Sequence, residues 1–326
     1  MPAPPSLLVT RRLPAAVEAR LHAGFRCTTS PDDAPLDAGA LARALATHDA
    51  VCCTVTDRLT ADVFAAAGAH PAGVRTRLLA NVGVGVNHVA LDAARAHGVR
   101  VTNTPDVLTD DTADLAVALV LMTMRRLGEG ERLVRAGRWT GWAPTHHLGR
   151  TLRGATLGVV GWGRIGRATA ERAHRAFGMR VVYHTPHPER HAVPWAAPCA
   201  TLDALLAASD VVSLHCPATP ATRHLMDART LARMRPGAVL VNTARGDVVD
   251  EAALVAALED GRLAGAGLDV YEGEPRVHPG LVGREDVVLL PHLGSATVET
   301  RTAMGMRAAD NLEAWRDGRA LPDPVA

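Results

Sequence analysis

The chain has 326 residues, 48% hydrophobic and 21% charged, a globular balance whose length points to two domains. A formal net charge of +1 offers no basic field for nucleic acid or an anionic membrane, and the longest apolar run, Leu115 to Met124, is half a bilayer span. All 35 Lys+Arg residues are arginine, which excludes a Schiff-base aldolase, a lysine-anchored pyridoxal enzyme and a Walker A ATPase.

Met1 to Leu8 lacks the cationic start and apolar core of a signal peptide, so a cytoplasmic protein is expected. The grammar that follows is strand, turn, helix, repeated. Strands are predicted at Leu7–Thr10, Ala50–Val55, Arg77–Val82 and Val99–Asn103. Helices are predicted at Pro14–Ala23, from about Thr60, and at Leu91–His97, ending at Gly98. Thr109–Arg126 reads as a long apolar helix capped by Asp110 and Asp111, and Glu129–Ala136 as a short one. From Leu157 a second unit begins, with strands at 157–160, 180–183, 211–214, 238–242, 265–270 and 287–290. Its helices are placed at 164–177, 202–208 and 250–259, with a proline-bearing loop at 192–200 and a last helix from about Ala296 to Trp315. Pro105 and Leu293 mark the crossovers. The expectation is therefore an α/β protein of two doubly wound, parallel-sheet (Rossmann-like) domains with a cleft between them. Residues 105–293 would form the dinucleotide-binding domain, and 1–104 with 294–326 a discontinuous substrate domain.

Cys27, Cys52, Cys53, Cys199 and Cys216 are odd in number and irregular in spacing, which reads as reduced thiols and gives no metal site. The adjacent His146 and His147 cannot form the i, i+4 pair of a helical metal site. Gly161-Trp162-Gly163-Arg164-Ile165-Gly166 fits GxGxxG, directly after an apolar strand and at the start of a helix. Gly161 would permit the tight turn, Gly163 the approach of a pyrophosphate, and Gly166 close helix–strand packing. The helix N-terminus would add unpaired N–H groups and partial positive charge. NAD sites usually place Asp or Glu at the end of the next strand, but here Tyr183 is followed by His184, Thr185, Pro186 and His187. His184, Thr185, His187 and Arg190 could accept a 2′-phosphate, so NADP(H) is favoured, with NAD(H) the alternative.

Three further segments follow strands of the same unit: Asn242 to Asp247, Gly267 to Pro275 and Pro291 to Ala296. Residues just past the C-termini of parallel strands face one crevice, so Arg245, Glu274 and His292 can converge. A guanidinium can grip a carboxylate by paired hydrogen bonds. A histidine can donate and accept a proton near neutral pH, and a carboxylate beside it would orient the ring and favour its protonated form. Asp247 or Asp250 could instead pair with Arg245, and Glu272 competes with Glu274.

These motifs in this order resemble the D-isomer-specific 2-hydroxyacid dehydrogenases over essentially the whole chain, most closely the glyoxylate/hydroxypyruvate reductase branch. The resemblance also rests on Asn81 to His88 and on Gly98 to Thr109. It implies an Arg–Glu–His catalytic set on Arg245, Glu274 and His292. It implies that backbone N–H groups around Val84 and Gly85 hold a substrate carboxylate, and that Asp269 meets the nicotinamide amide. Thr243 and Ala244 would lie along the nicotinamide, Pro217 would border the adenosine side, and Gly294 would also belong to the cofactor site. It further implies a homodimer, with Trp139 to Pro144 reaching over the partner's site.

The reaction so implied is reduction of a small 2-oxo acid, glyoxylate or hydroxypyruvate, to the D-2-hydroxy acid, with His292 as general acid/base. Val55 and Val84 with a tryptophan would make the pocket small and apolar. The rivals are 2-ketogluconate or another D-2-hydroxyacid as substrate, and a nucleotide-sensing, co-repressor-like scaffold. Neither nucleic acid nor membrane is expected as a partner.

Overall fold

A computed structural model of the chain describes residues 3–30 and 32–325. Met1 and Pro2, which open the segment weighed as a leader, together with Pro31 and Ala326, lie outside the described residues. In chain order the first elements are β1 (Ser6–Val9), α1 (Ala15–Gly24), β2 (Arg26–Thr29), α2 (Ala38–Thr47), β3 (Ala50–Thr54), α3 (Ala61–Gly68), β4 (Leu78–Val82), α4 (Leu91–Ala96) and β5 (Arg100–Thr102). Then come α5 (Thr109–Met124), α6 (Leu127–Arg135), β6 (Thr156–Val160), α7 (Arg164–Phe177), β7 (Arg180–His184), β8 (Ala196–Pro198), α8 (Leu202–Ala208) and β9 (Val211–Leu214). The remainder is α9 (Ala228–Arg233), β10 (Ala238–Asn242), α10 (Glu251–Glu259), β11 (Leu263–Leu268), α11 (Pro279–Val282), β12 (Val287–Leu289) and α12 (Val298–Arg316).

The chain parts into two units, one running to Leu108 and resuming at Thr297, the other spanning Thr109–Ala296. The first holds a five-stranded sheet ordered β2-β1-β3-β4-β5, the second a seven-stranded sheet ordered β12-β11-β10-β9-β6-β7-β8. Every pairing between these strands is parallel. The central strands β4, β6, β9 and β10 are buried at every residue, as expected of strands covered by helices on both faces.

Local chemistry explains the helix starts. Asp37, Thr60, Thr201, Asp250 and Thr297 each accept a backbone N–H of the first turn and cap α2, α3, α8, α10 and α12. Asp110 and Asp111 do not precede α5 as caps; they lie inside its first turn, where negative charge suits the helix dipole. Asp110 pairs instead with Arg172 of α7, which also holds Asp114. The small buried face of α7 (Gly166, Thr169, Ala170, Ala173) lets α5 pack closely against it.

The loop expected at 192–200 contains the edge strand β8, and Pro198 is tolerated there because an edge residue need not donate to a ladder. The cysteines are free thiols. Among the described residues, no His/Cys/Asp/Glu group is placed to hold a metal ion, and no helix is long and apolar enough to cross a membrane.

Candidate active site

The sequence-selected residues of the second unit follow the C-terminal ends of its strands. The order of that sheet reverses between β6 and β9, whose carboxyl ends are the switch point where ligands bind in open α/β sheets. There the turn after β6 lies against the turn after β9. Gly161 has φ +98°, and a Cβ on it would stand 2.6 Å from the Cys216 nitrogen. Gly166 packs so tightly that a Cβ would strike the Gly161 carbonyl oxygen. Gly163, which precedes α7, is exposed, and a Cβ there would meet nothing within 4 Å. Two glycines are thus required by the fold, whereas the middle one opens a cradle before the N–H groups of α7. A dinucleotide pyrophosphate fits that arrangement.

Trp162, expected among the cofactor contacts, is only 3% exposed. Its indole stacks on Tyr183 at 4.0 Å and donates to the His191 carbonyl, because the apolar ring gains more in the core than beside a charged ligand. Its backbone alone remains available to the cradle. Arg164 is exposed and Ile165 half-buried at the helix start. His184 and Thr185, at the end of β7, are half-buried, and His184 Nδ1 lies 3.0 Å from the Cys199 carbonyl oxygen. Pro217 is exposed, and its carbonyl accepts from Thr222 Oγ1 at 2.6 Å.

After β10, the buried Asn242 side chain shapes the next loop. Its Oδ1 accepts the Ala244 N–H and its Nδ2 donates to the Arg245 carbonyl, both at 2.9 Å. Thr243 is buried and its hydroxyl has no hydrogen-bond partner, the kind of orphan a bound polar group satisfies. Arg245 is half-buried; burial pulls its pKa below the ordinary arginine value, and the charge of Glu274 opposes that.

After β12, His292 has φ +56°. Asp269 holds it there with three consecutive bonds. The Asp269 carbonyl accepts the His292 N–H at 2.9 Å, Oδ1 accepts that of Leu293 at 2.6 Å, and Oδ2 that of Gly294 at 2.8 Å. Both carboxylate oxygens of Asp269, the residue expected at the nicotinamide amide, thus accept N–H groups of the chain, and each keeps a further lone pair. Burial raises its pKa against those hydrogen bonds. His292 Nδ1 lies 2.9 Å from Glu274 Oε2. Glu274 Oε1 accepts the Tyr271 N–H at 3.1 Å. Burial pushes the Glu274 carboxyl up, but His292, that N–H and Arg245 together hold it below the usual value, so it is ionised at neutral pH. Glu272, the competing acid, bonds His224 instead.

In the first unit, Val55, Val84 and Gly85 follow the ends of β3 and β4. Val55 is half-buried and Val84 exposed. Asn81, to which the sequence assigned no role of its own, is fully buried near the end of β4, and its Nδ2 donates to the Gly83 and Gly85 carbonyls at 2.9 and 3.1 Å. Asn103 Nδ2 takes the Val84 carbonyl at 2.9 Å. Peptide planarity then directs the Val84 and Val86 N–H groups away from Asn81. An amide at the end of an apolar strand was the available signal.

The chain matches, over residues 117–294, the family described as D-isomer specific 2-hydroxyacid dehydrogenase, NAD binding domain. A glyoxylate reductase of Thermococcus onnurineus is 41% identical over 98% of this chain and 96% of its own length. The solved TT0316 protein of Thermus thermophilus is 44% identical, with TM-score 0.87 over 98% of this chain and all of that one. An NADPH-dependent glyoxylate/hydroxypyruvate reductase of Sinorhizobium meliloti, solved with NADP and malonate, is 37% identical, with TM-score 0.87 over 99% of this chain and 97% of that one. Family match, full-length likeness and strand-end chemistry agree: this chain belongs to the D-isomer specific 2-hydroxyacid dehydrogenases and is a glyoxylate reductase-like, NAD(P)-dependent enzyme.

Proposed function

We propose that the chain reduces glyoxylate or hydroxypyruvate to the D-2-hydroxy acid and that it favours NADPH over NADH. The observation that carries this reading is the 2.9 Å contact between His292 and Glu274, beside an arginine that feels the Glu274 charge. A bound reduced nicotinamide supplies the hydride equivalent. Arg245 grips the substrate carboxylate and polarises its C2 carbonyl. Glu274 accepts a hydrogen bond from His292 Nδ1–H and so turns Nε2 toward the substrate oxygen, to which Nε2 gives its proton, leaving a neutral imidazole. Such proton transfer is worth about 10² to 10⁴ in rate. The small side chains of Val55 and Val84, and the N–H groups near Gly85, suit a short carboxylate.

The preference for NADPH rests on the residues after β7, where His184 and Thr185 stand with no carboxylate before Glu189. The active species in this reading is a homodimer. Leu127, Val134, Trp139, Trp142 and Leu148 are exposed on α6 and the segment after it, with Trp142 at 83%, an apolar surface suited to a second copy.

Loss of nicotinamide absorbance, followed with each oxo acid and each cofactor, tests the proposal. Fast decay with NADPH and either acid is the expected result. Decay with NADH alone would discard the cofactor preference. No decay with either acid would overturn the substrate assignment and point to larger 2-oxo acids.

A further inference from the structure

The loop after β9 ends in a short rung beside the segment that follows Arg245. His224 N–H donates to the Asp247 carbonyl at 2.8 Å and Met226 N–H to that of Val248 at 3.0 Å, while Asp250 N–H returns to the Met226 carbonyl at 3.0 Å. His224 has φ +50°, a left-handed conformation uncommon for a residue with a side chain. From that bend its ring meets a different loop, with Nε2 2.7 Å from Glu272 Oε1. Arg223 Nη2 donates to the same oxygen at 3.0 Å. The Glu272 N–H is in turn held by the buried Glu251, at 2.9 Å from its Oε1. Asp247 lies two residues after Arg245, and Glu272 two residues before Glu274. The two loops touch directly, since a Cβ on Gly246 would fall on the Tyr271 carbonyl group.

We propose that His224 and Glu272 form a latch that fixes the Arg245 loop against the Glu274 loop. His224 grips the first loop through its backbone and the second through its ring. The pair acts through Arg245 and Glu274 without touching the substrate, so these are positioning residues. The inference rests on the catalytic reading of those two residues. Its physical basis is the steep cost of misplacement: a shift of about 1 Å in a positioning group can lose roughly 10² in rate.

The test uses His224→Ala, Glu272→Ala, their double variant and Glu272→Gln. Each alanine variant should lose about ten- to a hundredfold in kcat/KM for the oxo acid, with KM raised and kcat lowered together. A merely destabilised enzyme would lose active fraction and keep its KM. NADPH affinity should hold, the double variant should be no worse than Glu272→Ala, which also frees Arg223, and Glu272→Gln, which keeps an acceptor, should approach wild type. Amide hydrogen exchange at 243–250 and 270–276 should quicken in both alanine variants. His224→Asn, which tolerates the left-handed backbone, replaces His224→Ala if that variant does not fold. Unchanged KM and kcat, additive losses in the double variant, or unchanged exchange in the two segments would overturn the latch. If the wild-type enzyme reduces no 2-oxo acid, the functional reading fails, and the exchange measurement still decides the latch.

Discussion

Gly163→Ala separates the fold from the cofactor site. Gly163 has φ −79° and ψ −166°, which alanine adopts freely, and its Cβ would meet nothing within 4 Å. Alanine is a poorer N-cap than glycine, but it gains about 0.4–1 kcal/mol from the reduced freedom of the unfolded chain. The net change should lie within about 0.5 kcal/mol, or roughly 1 °C in Tm. The new methyl group stands before the first N–H groups of α7, where the diphosphate would settle. Losing one hydrogen bond to a charged group costs about 1.5–3 kcal/mol, which is roughly a 10- to 100-fold rise in Kd. Gly166→Ala is the contrast, because its Cβ would strike the Gly161 carbonyl oxygen and also lie 3.1 Å from Val159 Cγ1. Overpacking of that kind costs about 1–3 kcal/mol, and Tm should fall by several degrees. Thermal unfolding without cofactor gives the first quantity, and quenching of tryptophan emission by NADPH gives the second. A fall in the Tm of Gly163→Ala matching that of Gly166→Ala, or an unchanged Kd, would refute the division of labour.

Three other outcomes are expected. His292→Ala should lose about 10² to 10⁴ in kcat while binding NADPH as the wild type does, and near-normal turnover would remove His292 from the proton path. His184→Asp should move preference toward NADH by repelling a 2′-phosphate; equal ratios of kcat/KM for the two cofactors before and after would show that the phosphate sits elsewhere. Burial pulls the pKa of His215 down to about 4, so the folded state keeps this ring neutral where the unfolded chain binds a proton. Its contribution to stability is whole above about pH 6.5 and drains away as pH falls toward 4. That amounts to at most about 3 kcal/mol, and less for the partial exposure of the ring. The Tm of His215→Gln should fall less than that of wild type between neutral and mildly acid pH; parallel curves would contradict this.

The parts of the fold that were legible are those where burial writes itself into residue choice. Val211–Leu214, Ala238–Asn242 and Arg164–Phe177 have the bounds their apolar runs and glycine punctuation suggested. β2 and α2 passed unnoticed. Arg26–Thr29 is a half-exposed edge strand without an apolar run, and the alanine-rich α2 shows mainly its Asp37 cap. β11 ends at Leu268, short of the expected Val270, because Asp269 has already turned to hold the N–H groups after His292. In the site, residue type at strand ends singled out Glu274 and His292, which are hydrogen-bonded. The supports of that pair were hidden for two reasons. Asp269 and His224 act on loops distant in sequence, and such pairings arise only when strands far apart in the chain lie side by side, whereas Asn242 and Asn81 brace their own loops through bonds two to four residues along, which residue type alone does not announce.

The left-handed backbone of His292 sets durability against chemistry. A side chain in that conformation carries a conformational cost of about 1–3 kcal/mol, which the bonds from Asp269 sustain. Glycine would carry almost none of it, so His292→Gly should be the more heat-resistant of two inactive variants, the other being His292→Ala. A library of this enzyme selected for thermal resistance alone would therefore drift toward glycine at position 292 and lose the imidazole proposed as its proton donor in doing so.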